Sequence, residues 1–207
     1  MAMRLQEIHP SLVHYPLAFL PLSIGADLLA RSTGNRTFAE LGRYAMALAA
    51  GSAAVAAVAG LAAQEEVDVE EGSEAYEMLV THRNMNLTLV GASAGMAMWR
   101  WREPEASPGY LALGLAALGA VGYSAYLGGK MVYKHGLGVE AADGLYEEEH
   151  PVPEITRETA GEALRYAARD VAAGAKHAAQ QLADGQVAPR LGIGKRVGSS
   201  EGQAEAR

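Results

Sequence analysis

Four long apolar runs constrain this chain more than any other feature. They extend from about Ser11 to Ala30, Tyr44 to Ala63, Met85 to Trp99 and Tyr110 to Gly129, and Asp27, near the end of the first, is the only acidic or basic side chain inside them apart from His14. A bilayer core about 30 Å thick needs roughly 20 apolar residues of helix. The runs therefore predict an all-α fold: a four-helix transmembrane bundle, its third span shorter and drawing on flanking residues. A soluble helical core is the competing fold, and four uncharged runs in 207 residues argue against it.

The rest of the chain is different. Half the residues are hydrophobic, yet hydropathy averages close to neutral, because the stretch after Gly136 is rich in charge, Ala and Gly. A net charge of −7 excludes a general nucleic-acid binder, which needs a basic stripe. With no cysteine, disulfides, thiolate metal sites and Cys nucleophiles are excluded too. The opening MAMRLQEIHP lacks a cleavage site and precedes a run too long for a secretory h-region.

Four spans alternate. The N-terminus, the loop after the second span and the tail share face A, and the other two loops lie on face B. Face B carries Arg31, Arg36, Arg43, Arg100 and Arg102, whereas the face A loop holds Glu65, Glu66, Asp68, Glu70, Glu71, Glu74 and Glu77. Basic short loops mark the cytoplasm, so face A is expected to be periplasmic or extracellular, with Arg4, Arg83, Lys130 and Lys134 as counter-signals. Trp99 and Trp101 at face B, and Tyr15, Tyr76 and Tyr133 at face A, fit interfacial belts. Gly91 and Gly95 are spaced for close helix approach, as are Gly114, Gly119 and Gly122. Pro16 and Pro21 should kink the first span, and Pro10 suits a first helical turn capped by His9.

Alternation also brings His9, His14, His82 and His135 to one face, although they are far apart in the chain. Ionisable groups near spans are costly and often mark sites, and imidazole ligates haem and transition metals. His9 and His14 are about 140° apart on a regular helix, so His14, His82 and His135 form the expected metal or cofactor set, with His9 peripheral. Asn86 is one turn below His82, placed to orient a ligand or to bond within the bundle. His150 and His177 read as surface residues.

Three segments form a recognisable pattern. His9-Pro10-Ser11-Leu12-Val13-His14-Tyr15-Pro16 resembles the HPxxVHFP opening of the bacterial membrane family called domain of unknown function 2231. His82 to Asn86 resembles its HxxxN element, and Gly128 to Val139 its closing GGxLVYxHGxGV, with Tyr15 and Met131 as mild departures. The resemblance covers residues 7 to 140. It implies a multi-pass domain of the bacterial inner membrane, in a family sometimes associated with redox modules, and it implies little about activity.

The domain reading is therefore a four-span domain over 7–140, a linker over 141–157, an Ala-rich helix over 158–184 and a disordered tail over 185–207. On the helix, Leu164, Val171, Ala175 and Leu182 make a thin apolar stripe suited to a membrane surface, a partner or solvent.

Three functions stay open. In the first, His14 and His82 ligate a haem b for electron transfer, with His135 as alternative, Asn86 and Tyr133 behind the ligands, and Gly128 and Gly129 letting a macrocycle approach. The second is a copper, zinc or iron site on the same histidines, with Met78, Met85 and Met131 as soft ligands. The third is a cofactor-free structural or assembly subunit. Partners would be the bilayer and a redox protein or membrane complex. No hydrolase motif is present, and a stand-alone enzyme is not expected.

Overall fold

A computed structural model describes residues 5–138 and 159–195, with side chains from residue 8 onward. Six α-helices occur in it: α1 (Leu5–Leu12), α2 (His14–Thr33), α3 (Arg36–Gln64), α4 (Glu74–Arg102), α5 (Pro108–His135) and α6 (Ala160–Ala183). A 3-10 turn follows at Pro189–Leu191, and the described residues contain no strand beyond one isolated bridge. The expected linker over 141–157 lies wholly outside the described residues, as do His150 and residues 196–207.

The architecture is the expected four-helix transmembrane bundle. Ile8–Thr33, α3 and α5 are each long and apolar enough to cross a bilayer. Helix α4 is as long but more polar, because Glu74, Glu77, Arg83, Arg100 and Arg102 flank its uncharged middle. At 1.5 Å per residue its 29 residues extend about 43 Å. Local chemistry sets the boundaries. Gly34, at φ 68°, ends α2 in the left-handed region that a side chain would resist. The Asn35 side chain then accepts from Thr37 N at 2.9 Å. Ser73 accepts from Tyr76 N at 3.1 Å, and Ser107 from Tyr110 N at 3.3 Å ahead of the first-turn Pro108.

Of the proline expectations, the one at Pro10 changes. The first helix starts at Leu5, so Pro10 lies inside it and His9 caps nothing. The break falls at Val13 instead, since Pro16 has no N–H to offer the Leu12 carbonyl and fits the first turn of the next helix.

The chain divides into two compact units. One comprises Ile8–Ala59 and Asn86–Ser124, around a core of Leu20, Ile24, Met46, Met96, Tyr110 and Leu111 with alanines between. Its close approaches are at Gly114, where a Cβ would strike Ile24, and at Gly42, where one would strike Asp27. Gly91, Gly95, Gly119 and Gly122 face open space, so the expected glycine motif makes no contact here.

The other unit contains residues 60–85 and everything described from 125 onward. Helix α6 docks within it through small residues, Ala163, Gly174 and Ala178, with Gly174 lying on the Leu61 carbonyl. The expected Leu164 and Leu182 stripe points outward, because a helix seated on backbone must present its smallest side chains. Residues 185–195, where composition suggests disorder, form a compact turn closed by the Ala188–Ile193 bridge and by Lys195 N donating to Gly185 O at 2.8 Å.

Candidate functional site

In the unit that holds residues 60–85, the start of α4 presents a row of polar side chains that the chain's own C-terminal segment meets one by one. Arg83 is buried, and its Nε donates to Asn84 Oδ1 at 3.0 Å. Its Nη1 donates to Gln64 Oε1 at 3.0 Å and to Gln181 Oε1 at 2.5 Å. The Asn84 amide donates to the Gln186 and Val187 carbonyls at 3.0 and 2.7 Å. Tyr76 donates to Gln186 Oε1 at 2.9 Å and accepts from Gln181 at 2.8 Å. Burial first, and then the nearby charge of Glu71, push its phenol up from the ordinary value. Gln64, Glu65, Asp68, Tyr76, Arg83 and His177 line a depression of about 230 Å³ here.

Beside it, Glu74 gathers cations. Arg190 Nη2 lies 2.7 Å from Oε1, Lys134 pairs with Oε2, and Lys130 stands 4.0 Å away. The Lys134 hydrogen bond, ahead of the surrounding positive charge, holds the Glu74 carboxyl below its usual value. Arg190 N also donates to Thr81 Oγ1 at 3.1 Å.

The histidines lie in different surroundings. His82 is half-buried, and its ring fills the space beside Gly128, where a Cβ would stand 3.3 Å from Cε1. His135 Nε2 is 3.9 Å from Glu74 Oε2. In the other unit, His9 Nδ1 lies 2.9 Å from the Ala56 carbonyl, and His14 is exposed. Among the described residues no group of three or more His, Asp or Glu side chains comes together to hold a metal ion. Asn86 accepts from Ser124 Oγ at 3.0 Å, an α4–α5 bond of the kind expected. Tyr133 is 93% exposed, and a Cβ at Gly129 would meet nothing within 4 Å. Met78 and Met131 are buried in packing. His177, read as a solvated residue, pairs with Glu65 at 2.9 Å.

One feature of the spans was not anticipated. Asp27 and Arg100 are both buried and form a two-pronged ion pair, Nε to Oδ2 at 3.1 Å and Nη2 to Oδ1 at 2.8 Å. Arg100 also donates to the Ala39 and Glu103 carbonyls. Ser23 donates to Gly42 O beside the pair at 2.7 Å. The available signal was Asp27 itself, a lone carboxylate within an apolar run, with Arg100 closing another apolar run on the same face.

Long apolar helices with an ion pair sealed among them define an integral, multi-span membrane protein. Residues 6–141 match a family described as "Predicted membrane protein (DUF2231)". The chain belongs to this family. No match was found among curated proteins or among solved structures. The family match ends before α6, so the segment that covers the start of α4 lies outside it.

Proposed function

We propose that the protein is a structural or assembly subunit of a bacterial inner-membrane complex, with no haem or metal of its own. One observation carries this reading: the polar side chains at the start of α4 are met by amide and carbonyl groups of the same chain, from Gln181 to Arg190. His9 supports it, since its ring nitrogen faces the Ala56 carbonyl, and so does the division of the histidines between two units, His9 and His14 in one and His82 and His135 in the other. In this role the spans anchor the chain, and the outer face of α6, with Leu164 exposed, is the part offered to neighbours. The end bearing Arg31, Arg36, Arg43 and Arg102 faces the cytoplasm, and α6 lies on the periplasmic side.

The test uses full-length protein purified from haem-replete, metal-supplemented cells. The expected result is no Soret band, metal far below one ion per chain, and an unchanged native-gel complex in a His14→Ala, His82→Ala double variant. Stoichiometric haem, copper, zinc or iron that the double variant loses would restore the electron-transfer or metal reading.

A further inference from the structure

We infer that the turn formed by residues 185–195 is a membrane-contacting foot, whose exposed aliphatic side chains enter the lipid interface beside the bundle.

The argument starts from level along the helices. Within their unit, the Asn84 amide holds the Gln186 and Val187 carbonyls, and Thr81 holds the Arg190 backbone. The turn therefore runs alongside residues 81–84 of α4. His82, in the same stretch, packs against Gly128, which belongs to the bilayer-crossing helix α5 seven residues before its end. The turn is thus drawn down to where that span leaves the hydrocarbon, and not held above it by a polar stalk.

The second observation is what the turn exposes. Val187, Leu191 and Ile193 are 43, 48 and 52% exposed, and Leu182 at the end of α6 joins them. In this short segment the large aliphatics stand outside and only Ala188 and Pro189 are buried, a grouping of exposed apolar side chains of the kind that marks a contact surface. Beside a bilayer the same arrangement is favourable, because each aliphatic leaves water for the acyl boundary. Lys195 follows the tip, and its ammonium is suited to lipid phosphates. The lipid-facing surface of α5 continues at this level with exposed Tyr126 and Val132. Polar contacts fix the turn's inner side, so the aliphatics stay outward without a protein partner.

The native chain has no cysteine, which allows single-site labelling. Ile193→Cys and, separately, Leu191→Cys would carry an environment-sensitive nitrobenzoxadiazole dye. The full chain is then placed in nanodiscs of phosphatidylcholine and phosphatidylglycerol, with Leu164→Cys, 71% exposed on α6, as the comparison. The inference expects blue-shifted emission at 191 and 193, strong quenching by lipids spin-labelled near the headgroup, and little quenching by aqueous iodide. Iodide quenching at both positions without lipid quenching would overturn it. So would a blue shift that lipid quenchers leave untouched, since that marks a second copy or another protein over the patch.

Discussion

Asp27 of α2 and Arg100 of α4 lie 73 positions apart in sequence and form a two-pronged ion pair, with side chains 0 and 1% exposed. In low dielectric such a pair is neutral as a unit but costly when halved.

Asp27→Asn leaves a buried guanidinium without its counter-charge. We expect it to lower stability by about 3–5 kcal/mol, and the paired replacement Asp27→Leu, Arg100→Met to lower it by much less. Reversible unfolding in mixed micelles measures both. Equal losses in the single and paired variants would mean that the two charges are not coupled.

Glycine replacements should separate sharply. At Gly42 a Cβ would lie 2.6 Å from Asp27 Cγ, and that carboxylate is clamped by Arg100. Gly42→Ala is expected to cost about 1–3 kcal/mol as overpacking. Gly91→Ala and Gly95→Ala meet nothing within 4 Å and should be neutral or stabilising by up to about 1 kcal/mol. Melting temperatures in one detergent rank the three.

Attachment of the C-terminal segment should weaken in acid. The Glu74 carboxyl is held below its ordinary value of 4.5 by Lys134, with Arg190 and Lys130 adding to the effect. A depressed carboxylate pKa stabilises fully above the unfolded value, and the benefit is lost as pH falls through the folded one. Hydrogen exchange of residues 185–195 should therefore stay constant from pH 7 down to the carboxylate range, after correction for intrinsic rates, and rise below it. In Glu74→Gln the exchange should be raised already at pH 7 and lack this component of the acid response.

Seating of α6 depends on one missing methyl. A Cβ at Gly174 would meet the Leu61 carbonyl oxygen, with its carbon at 3.0 Å, and backbone cannot swing aside as a side chain can. Gly174→Ala should lift the helix and speed limited proteolysis within residues 160–195. Gly161→Ala, facing open space on the same helix, should leave the digestion pattern unchanged.

The spans were legible because bilayer thickness leaves its mark on contiguous sequence, as in the uncharged run from Tyr110 to Gly129. Helix starts at Ser73, Asn35 and Ser107 rest on contacts two or three residues long and are readable in the same way. Pairings such as Asp27 with Arg100, or Arg83 with Gln181, depend on how distant helices are rotated, and one sequence does not encode that rotation in a countable pattern. The buried face of α6 was illegible for a related reason. Leucine spacing marks one face, but the floor beneath α6 is a main-chain carbonyl, which admits Gly174, a position no apolar pattern singles out. Alternation of spans led to the expectation that the four histidines share a face, yet His82 and His135 have different neighbours in one unit, while His9 and His14 belong to the other.

The separation of Asp27 from Arg100 also constrains biogenesis. Asp27 is synthesised and threaded toward the lipid while the residue that will neutralise it is still 73 codons from the peptidyl-transferase centre. A lone carboxylate near a helix end must in the meantime remain hydrated or be sheltered by the insertion machinery, at a cost of up to about 3 kcal/mol if it reached mid-membrane. Until α4 has emerged, α2 carries a charge that no lysine or arginine of its own apolar run can neutralise.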